Sequence, residues 1–134
     1  MNAASPSRPV PKPTPETAHF WEGTKRGEFL LQRCHGCRHT YFPPQPFCPR
    51  CTSDAIEVFK ASGSGRLHSY VISHLGPLAP VILAMVELDE GPRLLSNLVD
   101  IEPNPAKLTL DMAVEVVFEP AGDQVLALFK PVVI

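Results

Sequence analysis

All four cysteines of this chain stand in two CxxC pairs, Cys34 with Cys37 and Cys48 with Cys51, and ten residues separate the pairs. A CxxC segment folds as a tight knuckle whose two thiolates point at one ion, and two knuckles supply the four sulfurs of a tetrahedral site. The segment around them is too small for a core of its own, so metal binding would supply its folding free energy. We therefore predict one metal site with these four cysteines as its ligands.

The ligand set favours a structural zinc ion, one per chain. A site closed by four thiolates leaves no position for water, so we expect the metal to stabilise the fold and not to catalyse a reaction. Iron in a rubredoxin-like site uses the same four ligands, and an iron-bearing electron carrier remains an alternative. Disulfides are disfavoured because the first 15 residues lack the apolar stretch of a secretory signal. Tyr41, Phe42 and Phe47 are expected to shield the site.

Proline accounts for sixteen of the 134 residues, and it is concentrated in two clusters. Five prolines lie between residues 6 and 15 and four more between residues 43 and 49. The first cluster has too few apolar groups to offset the entropy lost on ordering, so we expect residues 1–15 to be a disordered leader. The rest of the chain is predicted to form a helix plus zinc ribbon over residues 16–60 and a barrel over residues 61–134.

The remaining pattern predicts one short helix and then strands. The helix is expected over Glu16–Arg26, with Thr14 as its cap and Gly27 as its stop. Five principal strands after residue 62, with one long interruption, have the plan of a closed OB-fold barrel, which leaves no free edges. The fold class is therefore mainly β. The strands are predicted at Glu28–Arg33, Ala55–Ala61, Gly65–His74, Val81–Leu88 (nearly all apolar, hence buried on both faces), Pro92–Val99, Val114–Glu119 and Val125–Phe129.

Charge argues against a nucleic-acid strand on the barrel. Residues 61–134 carry four basic and nine acidic side chains, a net of −5, whereas phosphate backbones are bound in basic grooves. The barrel also has few aromatic side chains on which bases would stack. A stand-alone zinc-ribbon and OB-fold nucleic-acid-binding protein is therefore the alternative and not the favoured function. No apolar run approaches the ~20 residues of a membrane span, and a cytoplasmic location is expected.

One strand carries the best candidates for acid–base chemistry. Alternation along the strand predicts His68, Tyr70 and His74 on one face, with Leu67 and Val71 on the other. Catalysis by such groups requires them to converge on a substrate. No nucleophile motif, phosphate loop or paired-carboxylate signature accompanies them. We therefore expect no catalytic residue in this chain.

Six motifs follow one another along the chain in a recognisable order. They are HFWEG (His19–Gly23), LLQRCHGC (Leu30–Cys37), YFPP (Tyr41–Pro44), CPRC (Cys48–Cys51), AMVELDEGPRLLSNLV (Ala84–Val99) and AVEVVFEP (Ala113–Pro120). In this order they resemble the acyl-CoA-associated zinc-ribbon/OB-fold family, whose domains were long labelled as of unknown function. The resemblance covers about residues 18–131, and it implies an N-terminal helical segment, a rubredoxin-like zinc ribbon and a C-terminal OB-fold barrel.

The resemblance also implies an accessory role in acyl-CoA metabolism. Family members are subunits of thiolase-like enzymes that catalyse acyl transfer, thiolytic cleavage or retro-aldol cleavage, and some associate with hot-dog-fold hydratases. The catalytic residues lie on the partner, and the small subunit assists assembly and substrate access. For this chain we accordingly expect a hetero-oligomer with a thiolase-like subunit, with acyl-CoA at the shared interface and without nucleic acid or membrane.

Aromatic residues near the ribbon are the expected contacts with that partner. Phe20 and Trp21 lie on the predicted helix, and Tyr41 and Phe42 lie between the two cysteine pairs. Aromatic residues, Trp above all, are enriched at interface hot spots. The alternative for Phe20 and Trp21 is that they pack on their own domain, because so short a helix needs a surface to dock on.

Three arginines near the cysteines are the expected contacts with coenzyme A. Arg33, Arg38 and Arg50 flank the two knuckles in the sequence. A guanidinium group pairs bidentately with phosphate, and coenzyme A carries several phosphates. The alternative is that these are solvated surface arginines.

Overall fold

The computed structural model describes residues 8–132, in which strands predominate, and it confirms the prediction of a mainly β fold. Residues 1–7 of the predicted disordered leader lie outside the described range. The elements are α1 (Ala18–Lys25), β1 (Leu30–Cys34), β2 (Thr40–Tyr41), β3 (Ile56–Lys60), β4 (Ser64–Ser73), β5 (Val81–Leu88), β6 (Arg93–Leu98), a 3-10 turn (Pro105–Lys107), β7 (Ala113–Ala121) and β8 (Gln124–Pro131).

Helix α1 is shorter than predicted. A turn in which the Thr17 amide donates to the Thr14 carbonyl precedes it, and Thr17 takes the cap position assigned to Thr14. The helix ends at Lys25, and the expected stop, Gly27, follows the Arg26 cap with a φ of +77° that suits glycine. Its buried side is narrow and includes Gly23, where a Cβ would lie 2.7 Å from Leu30 Cδ1.

No helix in residues 8–132 has the length and apolar character needed to cross a membrane.

The ribbon sheet has the order β2-β1-β3, with both pairings antiparallel. Strand β1 pairs with β3 over five residues, from Leu30 opposite Lys60 to Cys34 opposite Ile56. Strand β2 adds only two residues on the other side of β1. It was not predicted because two residues are too few to show periodicity. The sheet brings the first CxxC segment, at the end of β1, beside the start of β3.

The barrel is closed in the order β4-β5-β6-β8-β7. Strands β4 and β7 pair antiparallel, and closure is completed by a parallel contact between β6 and β8 at the single pair Leu98 and Phe129. The predicted five-stranded OB-type barrel is confirmed. Strand β5 occupies the predicted residues, but the expectation of burial on both faces is wrong. It alternates between a buried face that includes Val86 and an outer face with Leu83 exposed, because a barrel wall has one solvent side.

A one-residue bulge at His68 breaks the alternation predicted for β4. Leu67 pairs with Val86 and Ser69 with Met85, so His68 has no opposite residue on β5. Because the bulge shifts the alternation by one residue, Leu67 and Val71 lie on opposite faces and not on the same face as predicted. Leu67 is fully buried and Val71 is 61% exposed. Strand β4 ends at Ser73, and His74 is an exposed residue beyond it. The predicted common face for His68, Tyr70 and His74 is not formed.

An aromatic cluster joins the helix, the ribbon and the barrel. Phe29, between α1 and β1, lies at its centre and is almost completely buried. Its ring centroid lies 5.7 Å from that of Phe20 on α1, 6.1 Å from that of Phe42 and 6.1 Å from that of Phe129 on β8. The contacts with Phe20 and Phe129 are edge-to-face, an arrangement that adds to the free energy of apolar burial. The three parts of the molecule thus share one continuous core.

The first described residues lie across the barrel surface. Arg8 Nε is 3.2 Å from Glu119 Oε1 on β7, and Arg8 Nη1 donates to Asn97 Oδ1 on β6 at 3.2 Å. Val10 covers Gly122 in the β7–β8 turn, where its Cγ2 lies 2.8 Å from the position of a Cβ. Residues 8–10 therefore contact both sides of the gap between β6 and the β7–β8 hairpin.

Candidate metal centre

The two CxxC segments fold as the same backbone turn. In each, the amide of the first cysteine donates to the carbonyl five residues later, and its carbonyl accepts from the amide four residues later. The shared bonds explain why two short segments with different intervening residues present their sulfurs alike. The bonds are Cys34 N to His39 O (2.9 Å), Arg38 N to Cys34 O (3.0 Å), Cys48 N to Ser53 O (2.8 Å) and Thr52 N to Cys48 O (2.9 Å).

The residue after each knuckle adopts a left-handed backbone conformation. Arg38 has φ +66° and Thr52 has φ +67°, values that non-glycine residues seldom adopt. Thr52 is β-branched, which makes its conformation the more costly one. Arg38 and Thr52 occupy the same position in their segments and carry the same backbone strain. This indicates that the surrounding contacts require the backbone to turn directly after the second cysteine of each CxxC segment.

The four thiols converge on one point. All four Sγ atoms lie within 4.8 Å of one another, and all four cysteines are free. The short contacts run between the knuckles: Cys34 Sγ to Cys51 Sγ is 3.5 Å and Cys37 Sγ to Cys48 Sγ is 3.6 Å. A tetrahedral ion bound at about 2.3 Å would have its sulfurs about 3.8 Å apart. The four side chains fit a metal site of this kind.

Backbone amides favour the thiolate form of two cysteines. The Cys37 amide is directed at Cys34 Sγ and lowers the pKa of that thiol to about 6. Burial disfavours ionisation of Cys48, but the amides of Cys51 and Arg50 overcome it and lower the pKa of the Cys48 thiol. The Ser53 amide favours the Cys51 thiolate, yet the hydrogen bond with Cys34, burial and the neighbouring Cys37 and Cys48 thiols together outweigh it and raise the pKa of Cys51 to about 11. Metal binding must displace the proton of Cys51.

Tyr41 is the aromatic residue beside the sulfurs. Burial raises its pKa, and the nearby charges of Cys48 and Cys34 raise it further. Its ring stacks on that of His39 with centroids 5.8 Å apart. Of the other two residues expected to shield the site, Phe42 packs in the aromatic cluster and Phe47 is 49% exposed.

The four aromatic residues predicted to contact a partner fall into two classes. Phe20 and Tyr41 are each only 4% exposed, so their rings pack inside this chain and offer no surface for docking. Trp21 and Phe42 are partly buried and line an open cleft between α1, the ribbon and the barrel. Of the four residues expected to contact a partner, only Trp21 and Phe42 therefore have surface available for that contact.

The three arginines do not converge on one site. The Arg33 guanidinium lies 4.1 Å from the centroid of the Phe59 ring and 3.7 Å from the carboxylate of Glu57. Arg38 lies 4.0 Å from the same carboxylate. Arg38 and Arg50, however, line one cleft between the ribbon and the β5–β6 turn of the barrel. Glu57, the carboxylate that these two arginines share, was not predicted from the sequence. Only the pairing of β1 with β3, which places it opposite Arg33, indicates this role.

Comparison with known proteins agrees with this architecture. Residues 21–57 match a family model described as the ChsH2 rubredoxin-like zinc ribbon domain, and residues 60–119 match the ChsH2 C-terminal OB-fold domain. A DUF35 domain-containing scaffold protein of Methanocaldococcus jannaschii is 34% identical over 126 residues, which cover 84% of this chain and 88% of the relative. The chain belongs to the DUF35 (ChsH2-type) family. The predicted resemblance is confirmed.

Two further relatives of this DUF35 protein belong to larger assemblies by name. A protein of Thermomonospora curvata named "Probable enoyl-CoA hydratase alpha subunit" is 33% identical over 130 residues, which cover 94% of this chain but 40% of the relative. A solved structure described as "Ltp2-ChsH2(DUF35) aldolase" has a chain that is 34% identical, with a TM-score of 0.80 and coverage of 91% of this chain and 98% of that chain. The present chain thus spans less than half of the hydratase subunit.

Proposed function

We propose that this chain is a non-catalytic accessory subunit of a thiolase-like acyl-CoA enzyme complex in the cytoplasm, where it assists assembly and substrate access. The observation that carries the proposal is an apolar patch on the outer face of the barrel. The outer patch consists of Val71, Leu83, Met85 and Leu95. Soluble monomers seldom leave contiguous apolar surface of this kind uncovered.

Strand pairing makes the outer patch continuous. Val71 on β4 lies opposite Leu83 on β5, and Met85 on β5 lies opposite Leu95 on β6. Leu83 and Met85 share one face of β5, since they are two residues apart. Val71 and Leu95 are 61% and 65% exposed. The patch therefore crosses three neighbouring strands.

A charged row borders the outer patch and indicates what the partner presents. Arg66 and Arg93 flank Glu87 in the strand register, with nitrogen–oxygen distances of 3.1 and 3.6 Å. Two cations with one anion leave a positive edge. We therefore propose that the partner enzyme covers the patch with an apolar surface that has an acidic rim, since opposite potentials favour association. Relatives named as an aldolase partner, a hydratase subunit and scaffold proteins support this class of partner.

Co-expression with a thiolase-like subunit tests this proposal. We expect the two chains to co-purify as one species in size-exclusion chromatography and the enzyme to lose activity without the small subunit. Val71→Asp should release the partner, whereas Leu110→Asp, at a 58% exposed position outside the patch, should not. A monomeric chain whose addition leaves the enzyme's activity unchanged would refute the proposal, as would turnover of acyl-CoA by the isolated chain.

For the metal site we propose one structural zinc ion per chain, held by Cys34, Cys37, Cys48 and Cys51. The convergence of four thiols supports a metal, and a site closed by four thiolates suits a structural ion. Such an ion cross-links the end of β1 and the loop after it to the loop that precedes β3. Elemental analysis should find one zinc per chain in a colourless protein. A coloured protein containing iron would support the electron-carrier alternative.

For coenzyme A we propose that Arg38 and Arg50 contact its phosphates in the assembled complex. Their shared cleft has a volume of about 370 Å³ and is also lined by His39. Arg33 is a weaker candidate because its guanidinium already lies against Glu57 and Phe59. The double substitution Arg38→Ala and Arg50→Ala should weaken acyl-CoA binding to the complex more than Arg33→Ala does. Unchanged affinity would refute the phosphate contact.

A further inference from the structure

The first described residues occupy the face that OB-fold barrels use to bind ligands. In such barrels the ligand lies across the second and third strands, between the loop after the first strand and the loop that joins the fourth to the fifth. Here those strands are β5 and β6, and the loops are residues 74–80 and the β7–β8 turn. Residues 8–10, which we call the strap, lie beside Leu78 of the first loop and Gly122 of the second. The strap therefore fills part of the groove in which an external ligand would lie.

Arg8 anchors the strap through oxygen atoms on two strands. Its Nε contacts Glu119 Oε1 on β7, and its Nη1 donates to Asn97 Oδ1 on β6, each at 3.2 Å. The Arg8 side chain is only 16% exposed. Asn97 is oriented by the barrel, since its Nδ2 donates to the Ile82 carbonyl at 3.0 Å. The barrel thus presents one carboxylate and one oriented amide oxygen to a guanidinium group.

The β7–β8 turn accommodates the apolar side chain of the strap. Val10 Cγ2 lies 2.8 Å from the position that a Cβ on Gly122 would take, so glycine leaves the room that this side chain needs. Val10 is 50% exposed, and a space of about 340 Å³ is left between the strap and the barrel, lined also by Leu78 and Pro120. The groove therefore has one position for arginine and, two residues later, an apolar position with room for a side chain larger than valine.

The sequence that contains the strap favours an extended backbone before it docks. Prolines alternate with other residues at positions 9, 11, 13 and 15. Each proline fixes its own φ and disfavours the helical region for the residue before it. A segment of this kind loses little conformational entropy on binding, which is the advantage that proline-rich peptides have as ligands.

Charge favours a cationic peptide as the occupant of the groove. Residues 8–15 carry two basic side chains, Arg8 and Lys12, and no acidic one. The barrel sequence, residues 61–134, has a net charge of −5. Opposite charges favour association between the two, whereas the phosphates of a nucleic acid would be repelled.

We infer that the groove between residues 74–80 and the β7–β8 turn is a peptide-binding site that recognises an extended Arg-Pro-aliphatic segment. Its occupant in this protein is the strap of the same chain. The covalent connection gives the strap a high effective concentration, so an external peptide of the same chemistry must displace it. The inference rests on the contacts of the strap and is independent of the proposed accessory role.

The mobility of Val10 tests the anchoring of the strap in the full-length protein. Its amide lies between two prolines, and we expect an order parameter of about 0.85 in the wild type and below about 0.6 in Arg8→Glu, where two carboxylates would face each other. Glu119→Arg should have the same effect, and the double variant should restore the order. The control is Arg26→Glu, which breaks an exposed ion pair with Glu28 and should leave Val10 unchanged.

A peptide supplied in trans tests recognition directly. An acetylated peptide with the sequence of residues 8–13 is titrated into the full-length Arg8→Glu protein, and the amide signal of Gly122 is followed. We expect saturable binding that is at least about tenfold weaker to the wild-type protein, because its own strap occupies the groove. Arg8→Gln in the peptide should weaken binding about tenfold, as for loss of a charged hydrogen bond. Val10→Leu in the peptide should strengthen binding up to about fourfold, as for one more buried methylene group.

Four results would overturn the inference. The first is a Val10 amide that is as mobile in the wild type as in Arg8→Glu. The second is a double variant that stays as mobile as the single variants, since Arg8 would then not act through Glu119. The third is the absence of saturable peptide binding to Arg8→Glu, in a protein whose unchanged β5 signals show that the barrel is folded. The fourth is Val10 order that falls on dilution, which would place the strap in the groove of a second copy.

Discussion

The zinc ribbon and the barrel differ in the kind of side chain that each of them buries. The barrel closes five strands around fully buried side chains such as Leu67, Val86 and Val114. The ribbon has three short strands, and the side chains it buries most completely include the thiols of Cys34 and Cys48. The barrel is thus stabilised by apolar burial, whereas the ribbon brings together four thiols that fit a metal site, whose ligation would stabilise it. A chain of this kind has two stability terms that respond to different perturbations.

Removal of the metal is the largest expected perturbation of this contrast. Apparent metal-binding free energies of such sites are about 10–16 kcal/mol near neutral pH, so a chelator should unfold β1–β3. The barrel should keep its strands because its core contains no ligand. Hydrogen exchange should show loss of protection in β1 and β3 with protection retained in β5. Cys37→Ser should reproduce this pattern, while simultaneous loss of protection in both sheets would show that the two parts fold as one unit.

Truncation of Phe29 tests the aromatic joint between the two parts. Phe29→Ala removes a fully buried ring in contact with the helix, the ribbon and the barrel and should cost about 3–5 kcal/mol in the free energy of unfolding. Thermal or denaturant unfolding should then resolve two transitions in place of one. The control is Phe47→Ala, which truncates a half-exposed ring outside the core and should change stability by less than about 1 kcal/mol.

Two glycines with left-handed backbone compare a crowded position with an open one: Gly63 lies between β3 and β4, and Gly27 lies between α1 and β1. Gly63 has φ +81°, and a Cβ there would lie 2.6 Å from Val116 Cγ1, whereas Gly27 has φ +77° with open space around it. Gly27→Ala should cost about 1–2 kcal/mol from the left-handed backbone alone. Gly63→Ala should lower the free energy of unfolding by about 1–3 kcal/mol more than Gly27→Ala does, because the added methyl would collide with Val116. Equal losses in denaturant unfolding would show that Val116 yields without cost.

The smallest expected effect is a pH dependence from helix α1. Burial lowers the pKa of His19, although Glu22 opposes the shift, and Nε2 of His19 is buried without a hydrogen-bond partner. The unfolded chain therefore takes up a proton near pH 6.5 while the folded chain resists it. Stability should fall slightly as the pH decreases through that range. His19→Gln should flatten this part of the curve, and an identical pH profile in the variant would exclude His19 as its source.

Much of the architecture could be predicted because its signals are local. The spacing of the four cysteines predicted that they would converge, and Val81–Leu88 matched β5 residue for residue. The N-terminal bounds of α1 were wrong because Thr14 and Thr17 both suit a cap, and a backbone turn between them decided the choice. Local patterns thus identify elements well and their ends less well.

What the sequence alone determined was the convergence of the four cysteines, the closed five-stranded barrel and the acidic balance of residues 61–134, since each depends on residue type and spacing. Tertiary structure decided which aromatic residues are buried, the bulge at His68, the apolar patch around Leu95 and the cleft beside Trp21. The physical reason is that exposure and cavities depend on contacts between residues far apart in the chain. Phe29 and Phe129 meet across one hundred residues of sequence, and no periodicity near either of them predicts that contact.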